Sequence, residues 1–268
     1  MLSDVRQADG GGAAPAATAR VVGRPNFGWE VVLVLGVSLG QSAVYSILSL
    51  LEKLTRPQQP IGQQTTSINT SVVPDRPWLD LAYQAAGIAF PLVPALIALY
   101  LLRLTGDRAS IGFDLRRPRF DLSRGFAAAA LIGVPGLGFY FLTRAMGLNT
   151  DVQPANLAAH WWTIPAYAGL AVMNGVLEEV VMLGFLFSRF AKLGWRPWHW
   201  VVASALIRGA YHLYQGFGGG VGNLVMGLVF GVAYLRWRRV GPLVAAHVLL
   251  DLVIFIGYPV AAPFLPTF

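Results

Sequence analysis

The sequence predicts an all-α, polytopic membrane bundle of about seven to eight transmembrane helices. Three observations carry that prediction. Of 268 residues, 55% are hydrophobic and only 12% are charged, about half the charged share of a soluble domain. Such a chain could not cover its own surface in water. Mean hydropathy is +0.56. The apolar residues gather into seven runs that reach or approach the ~20 residues a spanning helix needs.

The elements follow in order. Residues 1–25 read as a flexible cytoplasmic tail, rich in Gly, Ala and Pro and without the apolar stretch of a signal peptide. Residues 26–268 read as a single transmembrane helical domain. Its expected spans are Phe27–Leu51, Trp78–Leu102, Leu122–Leu142, Trp162–Phe187, Trp198–Tyr214, Val221–Tyr234 and Pro242–Val260. The sixth is short unless it extends to Trp237. The fourth is long and carries two glutamates, which suggests a bend or split. Gly227 and Gly231 form a GxxxG step, which either lets two helices approach closely or reflects glycine's frequency in membrane helices.

The connections predict an orientation. Basic residues concentrate in three of them: Arg103–Arg119, Arg189–Arg196 and Arg236–Arg239. The alternate connections are poor in basic residues, apart from Lys53, Arg56 and Arg76 in the first of them. Basic connections stay cytoplasmic, so the N-terminus is expected inside and the C-terminus outside, with a bacterial plasma membrane as the expected location. The net charge of +7 is therefore read as topology, and no nucleic-acid partner is expected. Cysteine is absent, which excludes disulfides, thiol catalysis and cysteine metal ligands. Asn69-Thr70-Ser71 matches a glycosylation sequon, a short motif that carries little weight.

Ionisable groups deep in apolar helices cost several kcal/mol and are functional candidates by default. Glu30 and Asp80 lie near helix starts and read as structural. Glu178 and Glu179 lie inside an apolar run of the fourth span. They point about 100° apart on a helix and so are expected to do different jobs. His212 follows Ala203–Tyr211 on the fifth span, with Arg208 one turn earlier on the same face. An arginine at depth needs a partner, and either glutamate can serve. His247 and Asp251 sit four residues apart on the seventh span and share a face, where a carboxylate can orient an imidazole or join it on a metal. Asn174 lies one turn before Glu178. His160 and His199 sit beside tryptophans at span edges and read as interfacial. HExxH and GxxxxGK[ST] are absent, which argues against an ordinary zincin and against nucleotide-driven transport.

Three motifs, in order and on separate spans within 162–260, resemble those of the CPBP family, which includes the type II CAAX prenyl endopeptidases, bacteriocin-processing enzymes and abortive-infection proteins. EExxxR is met by Glu178-Glu179 but ends in Leu183-Gly184. FxxxH is met as Arg208 to His212, and HxxxN or HxxxD as His247 to Asp251. The resemblance implies an intramembrane endopeptidase acting on a hydrophobic or lipidated peptide at the bilayer. It implies that Glu178 is the base on a water, that His212 holds that water, and that His247 and Asp251 stabilise the oxyanion. Glu179 is counted with them as catalytic, and Arg208 and Asn174 are expected to support the set, with Arg208 replacing the cation missing at Leu183.

Two departures bear on the chemistry. An ionised Asp251 cannot donate a hydrogen bond, so it must be protonated, orient His247 or bind metal. By ligand type, Glu178, His212, His247 and Asp251 could hold zinc or another divalent ion. Helix arithmetic also strains the site. At about 1.5 Å per residue the three histidine- and glutamate-bearing segments start out spread along the membrane normal, unless tilt, a kink near Gly184 or a headgroup start to the fifth helix brings them level. The competing readings are a membrane immunity or assembly protein with altered motifs, and a proton-coupled transporter.

Overall fold

A computed structural model describes residues 25–261, so the expected N-terminal tail lies, but for its last residue, outside the described residues. The chain is built from helices. α1 (Phe27–Gly36) and α2 (Leu39–Thr55) make a pair bent by 49°. The bend falls at Ser38, whose hydroxyl donates to the Val34 carbonyl at 2.5 Å. α3 (Pro77–Ala89) and α4 (Leu92–Leu104) run on as a 28-residue span, interrupted where Pro91 lacks an N–H to give. α5 (Pro118–Ala145) follows. α6 (Thr163–Glu179), a π-helical segment (Val180–Phe185) and α7 (Leu186–Lys192) form one 30-residue rod. α8 (Pro197–Tyr211), α9 (Phe217–Trp237) and α10 (Gly241–Ala261) complete the bundle.

Among the described residues, five helices are long and apolar enough to cross a membrane, and the bent α1–α2 pair would make a sixth. The expected fifth span differs. α8 has 15 residues, about 22 Å of helix. The chain leaves it at His212 through a 3₁₀ turn, Leu213–Gln215, and a glycine at φ +110°. The sixth is longer than expected, because Gly218–Gly220 are helical rather than loop. Asn149, from the connection after α5, holds this start by accepting the Gly219 N–H at 3.0 Å.

α8 runs antiparallel along α9, and the GxxxG step lies in their seam. A Cβ on Gly227 would sit 2.8 Å from the Ala205 Cα, and one on Gly231 would sit 2.9 Å from a Val201 methyl. Backbone cannot yield as a side-chain tip can. Gly227→Ala is therefore expected to lower the melting temperature in detergent, with an overpacking cost of about 1–3 kcal/mol.

The arginine-rich connections gather at one end and carry their own counter-charges. Arg189 is fully buried and bonds Glu30 at 2.6 Å, with Asp107 and Thr105 both at 3.2 Å. It thereby ties α7 to α1 and to the turn after α4. Lys192 shares Asp107 at 3.1 Å. Arg239 bonds Asp121 at 2.8 Å and Asp114 at 3.0 Å, tying the start of α10 to that of α5. The Asp114 carboxyl is held below the usual carboxylate range, chiefly by its hydrogen bond from Arg239.

The opposite end is closed by β1 (Thr65–Ser67) paired in parallel with β2 (Asp151–Gln153). A bond of 2.7 Å between the Thr66 and Thr150 hydroxyls and a bridge from Asn149 to Gly216 fasten this cap to the α8–α9 turn. Asp80, expected as an interfacial anchor, is buried, and its carboxylate accepts the Val72 N–H at 2.7 Å and the Val73 N–H at 3.2 Å. The sequon amide of Asn69 donates to the Pro154 carbonyl at 2.9 Å.

Candidate active site

Close approach of α6 and α10 assembles the site. Gly175 makes it possible: a Cβ there would sit 2.7 Å from a Val248 methyl and 3.2 Å from the Val244 carbonyl. The helical repeat then sets Asn174 and Glu178 on one face of α6, one turn apart. His247 and Asp251 face them from α10.

The two glutamates are bridged by one cation from α8. Arg208 is fully buried, and its guanidinium reaches Glu178 Oε2 at 3.2 Å through Nη1 and Glu179 Oε1 at 2.7 Å through Nη2. A planar fork suits two carboxylates about 100° apart on a helix better than a point charge would. Its ring-facing side lies over Phe230, 5.7 Å from the centroid. Leu183, where the EExxxR pattern has its arginine, is packed in the apolar core instead.

The π-helical segment begins directly after the pair. A π turn leaves backbone groups that need outside partners, and one is met from α8, where Ser204 donates to the Met182 carbonyl at 3.3 Å. A kink near Gly184 is one of the three ways to bring the segments level, and here the span runs on through this widened turn.

The two carboxylates have different surroundings. The Glu179 side chain is sealed from solvent, and its Oε1 accepts both from Arg208 and from His247 Nδ1 at 2.7 Å. The Glu178 side chain keeps 12% exposure. Its Oε2 accepts the Tyr211 hydroxyl at 2.6 Å as well as Arg208, and among the described residues Oε1 has no hydrogen-bonded partner. Glu179 Oε2 also has no hydrogen-bonded partner but is buried, so the carboxylate that combines a free oxygen with partial exposure is Glu178.

The histidines differ in the same way. His247 Nδ1 faces the Glu179 carboxylate, which only accepts, so Nδ1 carries a proton. Nε2 stands 3.8 Å from Asp251 Oδ1. Asp251 is fixed in turn by Asn174, whose amide donates to Oδ2 at 2.8 Å. His212 Nδ1 lies 3.0 Å from the Arg208 carbonyl. A carbonyl also only accepts, so in the neutral ring Nε2 is left as the acceptor. The His212 ring lies 4.7 Å from that of Tyr211, the residue bonded to Glu178. His160 stacks against Trp162 and His199 is exposed, both away from this cluster.

Sequence reasoning missed two tyrosines. Tyr211 bonds Glu178, and Tyr214 packs its ring nearly parallel to that of His212, at 6.3 Å and 24°. A tyrosine in an apolar run reads as core or interface, and only a fold brings Tyr211 to a glutamate 33 positions away.

The metal set suggested by ligand type was Glu178, His212, His247 and Asp251. The three groups whose ligand atoms lie within 4.8 Å of one another are Glu178, Glu179 and His247. The 2.7 Å between Glu179 Oε1 and His247 Nδ1 is a hydrogen bond. Two ligands on a tetrahedral zinc would stand about 3.3 Å apart. The Arg208 guanidinium already supplies a cation to both carboxylates. As arranged, these residues fit a hydrogen-bonded network rather than a zinc centre.

Residues 160–253 match the family model of the type II CAAX prenyl endopeptidases, Rce1-like. The matched segment contains every residue of the cluster and supports membership in the CPBP/CAAX family. No curated protein and no solved structure matches the chain.

Proposed function

We propose, from the match of residues 160–253 to the type II CAAX prenyl endopeptidase model, that this membrane protein hydrolyses a peptide bond with a water activated by Glu178. The observation that carries the reading is the convergence of Glu178, Arg208, Tyr211 and His247 from three helices inside the matched segment.

A water in the site donates one proton to Glu178 Oε1 and the other to His212 Nε2. Its lone pair is then aimed at a substrate carbonyl. As the C–O bond forms, Glu178 takes the proton and the carbonyl oxygen becomes an oxyanion. His247 Nε2–H faces that oxygen when the ring is charged. An imidazolium there, together with Arg208, balances two of the three carboxylates Glu178, Glu179 and Asp251. Glu178 then passes its proton to the leaving amine as the C–N bond breaks. No metal takes part. Asn174 and Asp251 fix the far side of His247, and Glu179 fixes the near side.

The substrate is a hydrophobic or lipidated peptide, with CAAX-type C-terminal processing as the reaction class implied by the family. The arginine-rich end lies in the cytoplasm by the charge rule. α1 then starts inside and α10 ends outside, in a bacterial plasma membrane.

Protein reconstituted in liposomes is expected to cleave an internally quenched, farnesylated peptide with a CAAX-type C-terminus. The rate is expected to be unchanged after dialysis against EDTA. Loss of activity on dialysis, restored by zinc, would overturn the metal-free mechanism. Substrate-driven proton uptake without cleavage would point to a transporter instead.

A further inference from the structure

The oxyanion hole just described lacks a second donor. The motif position that could supply one holds Asp251, and an ionised carboxylate only accepts. Its oxygens are also engaged, with Asn174 on Oδ2 and His247 facing Oδ1. Tyr211 has already committed its hydroxyl hydrogen bond to Glu178.

Tyr214 has not. Its hydroxyl oxygen accepts from the Gln215 side-chain amide at 2.9 Å, so its own proton is not used in that bond. Among the described residues no other group takes it. The residue lies on the 3₁₀ turn that leaves α8, two positions after His212. The residue is also held from several sides. Its backbone N–H donates to the Ser46 hydroxyl of α2 at 2.7 Å, and its carbonyl accepts the Thr66 hydroxyl of β1 at 3.3 Å. Its ring lies against His212, the residue assigned to the attacking water. A donor fixed before the reaction, next to the residue that holds the water, is what oxyanion stabilisation requires.

We infer that Tyr214 is a catalytic residue, whose hydroxyl donates to the oxyanion alongside His247 and replaces the amide donor absent at Asp251. The inference rests on the peptidase reading above.

The test uses the full chain in liposomes, the farnesylated peptide and a phosphinate isostere of its scissile bond. Tyr214→Phe is expected to keep the melting temperature and KM and to lose about 10²–10³-fold in kcat. Its affinity for the phosphinate is expected to fall in proportion, while affinity for the uncleaved peptide holds. Adding Asp251→Asn returns an amide donor and is expected to recover about tenfold of the lost kcat. Wild-type kcat in Tyr214→Phe overturns the assignment. A loss that comes with a lowered melting temperature and no recovery by Asp251→Asn marks Tyr214 as structural, and overturns it equally. A wild-type protein that neither cleaves the peptide nor binds the phosphinate overturns the peptidase reading itself, and the assignment with it.

Discussion

Glu178→Gln is expected to abolish turnover while leaving the bundle folded. A positioned general base is worth roughly 10²–10⁴-fold, and the amide cannot take the water's proton. Structurally the change is small. The glutamine Oε1 can still accept from Tyr211 and Arg208, and the side chain keeps partial exposure at 12%. Glu179→Gln should behave differently. That residue is sealed and holds two donors on one oxygen, Arg208 and His247, both at 2.7 Å. Neutralising it leaves the guanidinium and the imidazole short of a counter-charge, so the melting temperature is expected to fall along with activity. Measuring kcat and melting temperature for the two variants side by side separates the base from the brace. A Glu178→Gln protein that still cleaves at the wild-type rate would move the base elsewhere.

The helical class and the identity of the polar residues were legible because both are written in composition and order. Apolar runs mark the spans, and charges inside them stand out against hydrocarbon. Depth was not legible. Arg189 opens a basic connection in the sequence and so reads as the membrane edge. Arg189 is instead fully buried in a clasp with Glu30 and Asp107, so α7 continues past the assumed boundary. The three glycines opening α9 read as loop by propensity, yet they are helical because Gly218 and Gly220 lie tight against Thr143 and Leu213. Tyr211 and Tyr214 escaped notice for a similar reason. Their roles depend on partners on other elements, and no local period encodes a bond from α8 to α6.

Arg208→Leu is expected to cost more stability than any other single change in the site. The guanidinium is fully buried and bridges Glu178 and Glu179. Removing one partner of a buried ion pair leaves charge without compensation, typically at about 3–5 kcal/mol. Leucine supplies no hydrogen bond to either carboxylate and leaves Glu179 dependent on His247 alone. Two further variants distinguish charge from packing. Arg208→Lys keeps a cation, but an ammonium cannot hold two carboxylates in a planar fork, so it should recover only part of the loss. Arg208→Leu combined with Glu179→Gln removes the more deeply buried orphan charge. Because the two residues touch, their effects should not add, and the double variant is expected to melt above Arg208→Leu alone. Thermal unfolding in detergent reads all three. Strict additivity would mean that Arg208 is held by Phe230 and the α8–α9 seam rather than by the glutamates. The cation would then be a packing residue, and the missing arginine at Leu183 would have no replacement in this site.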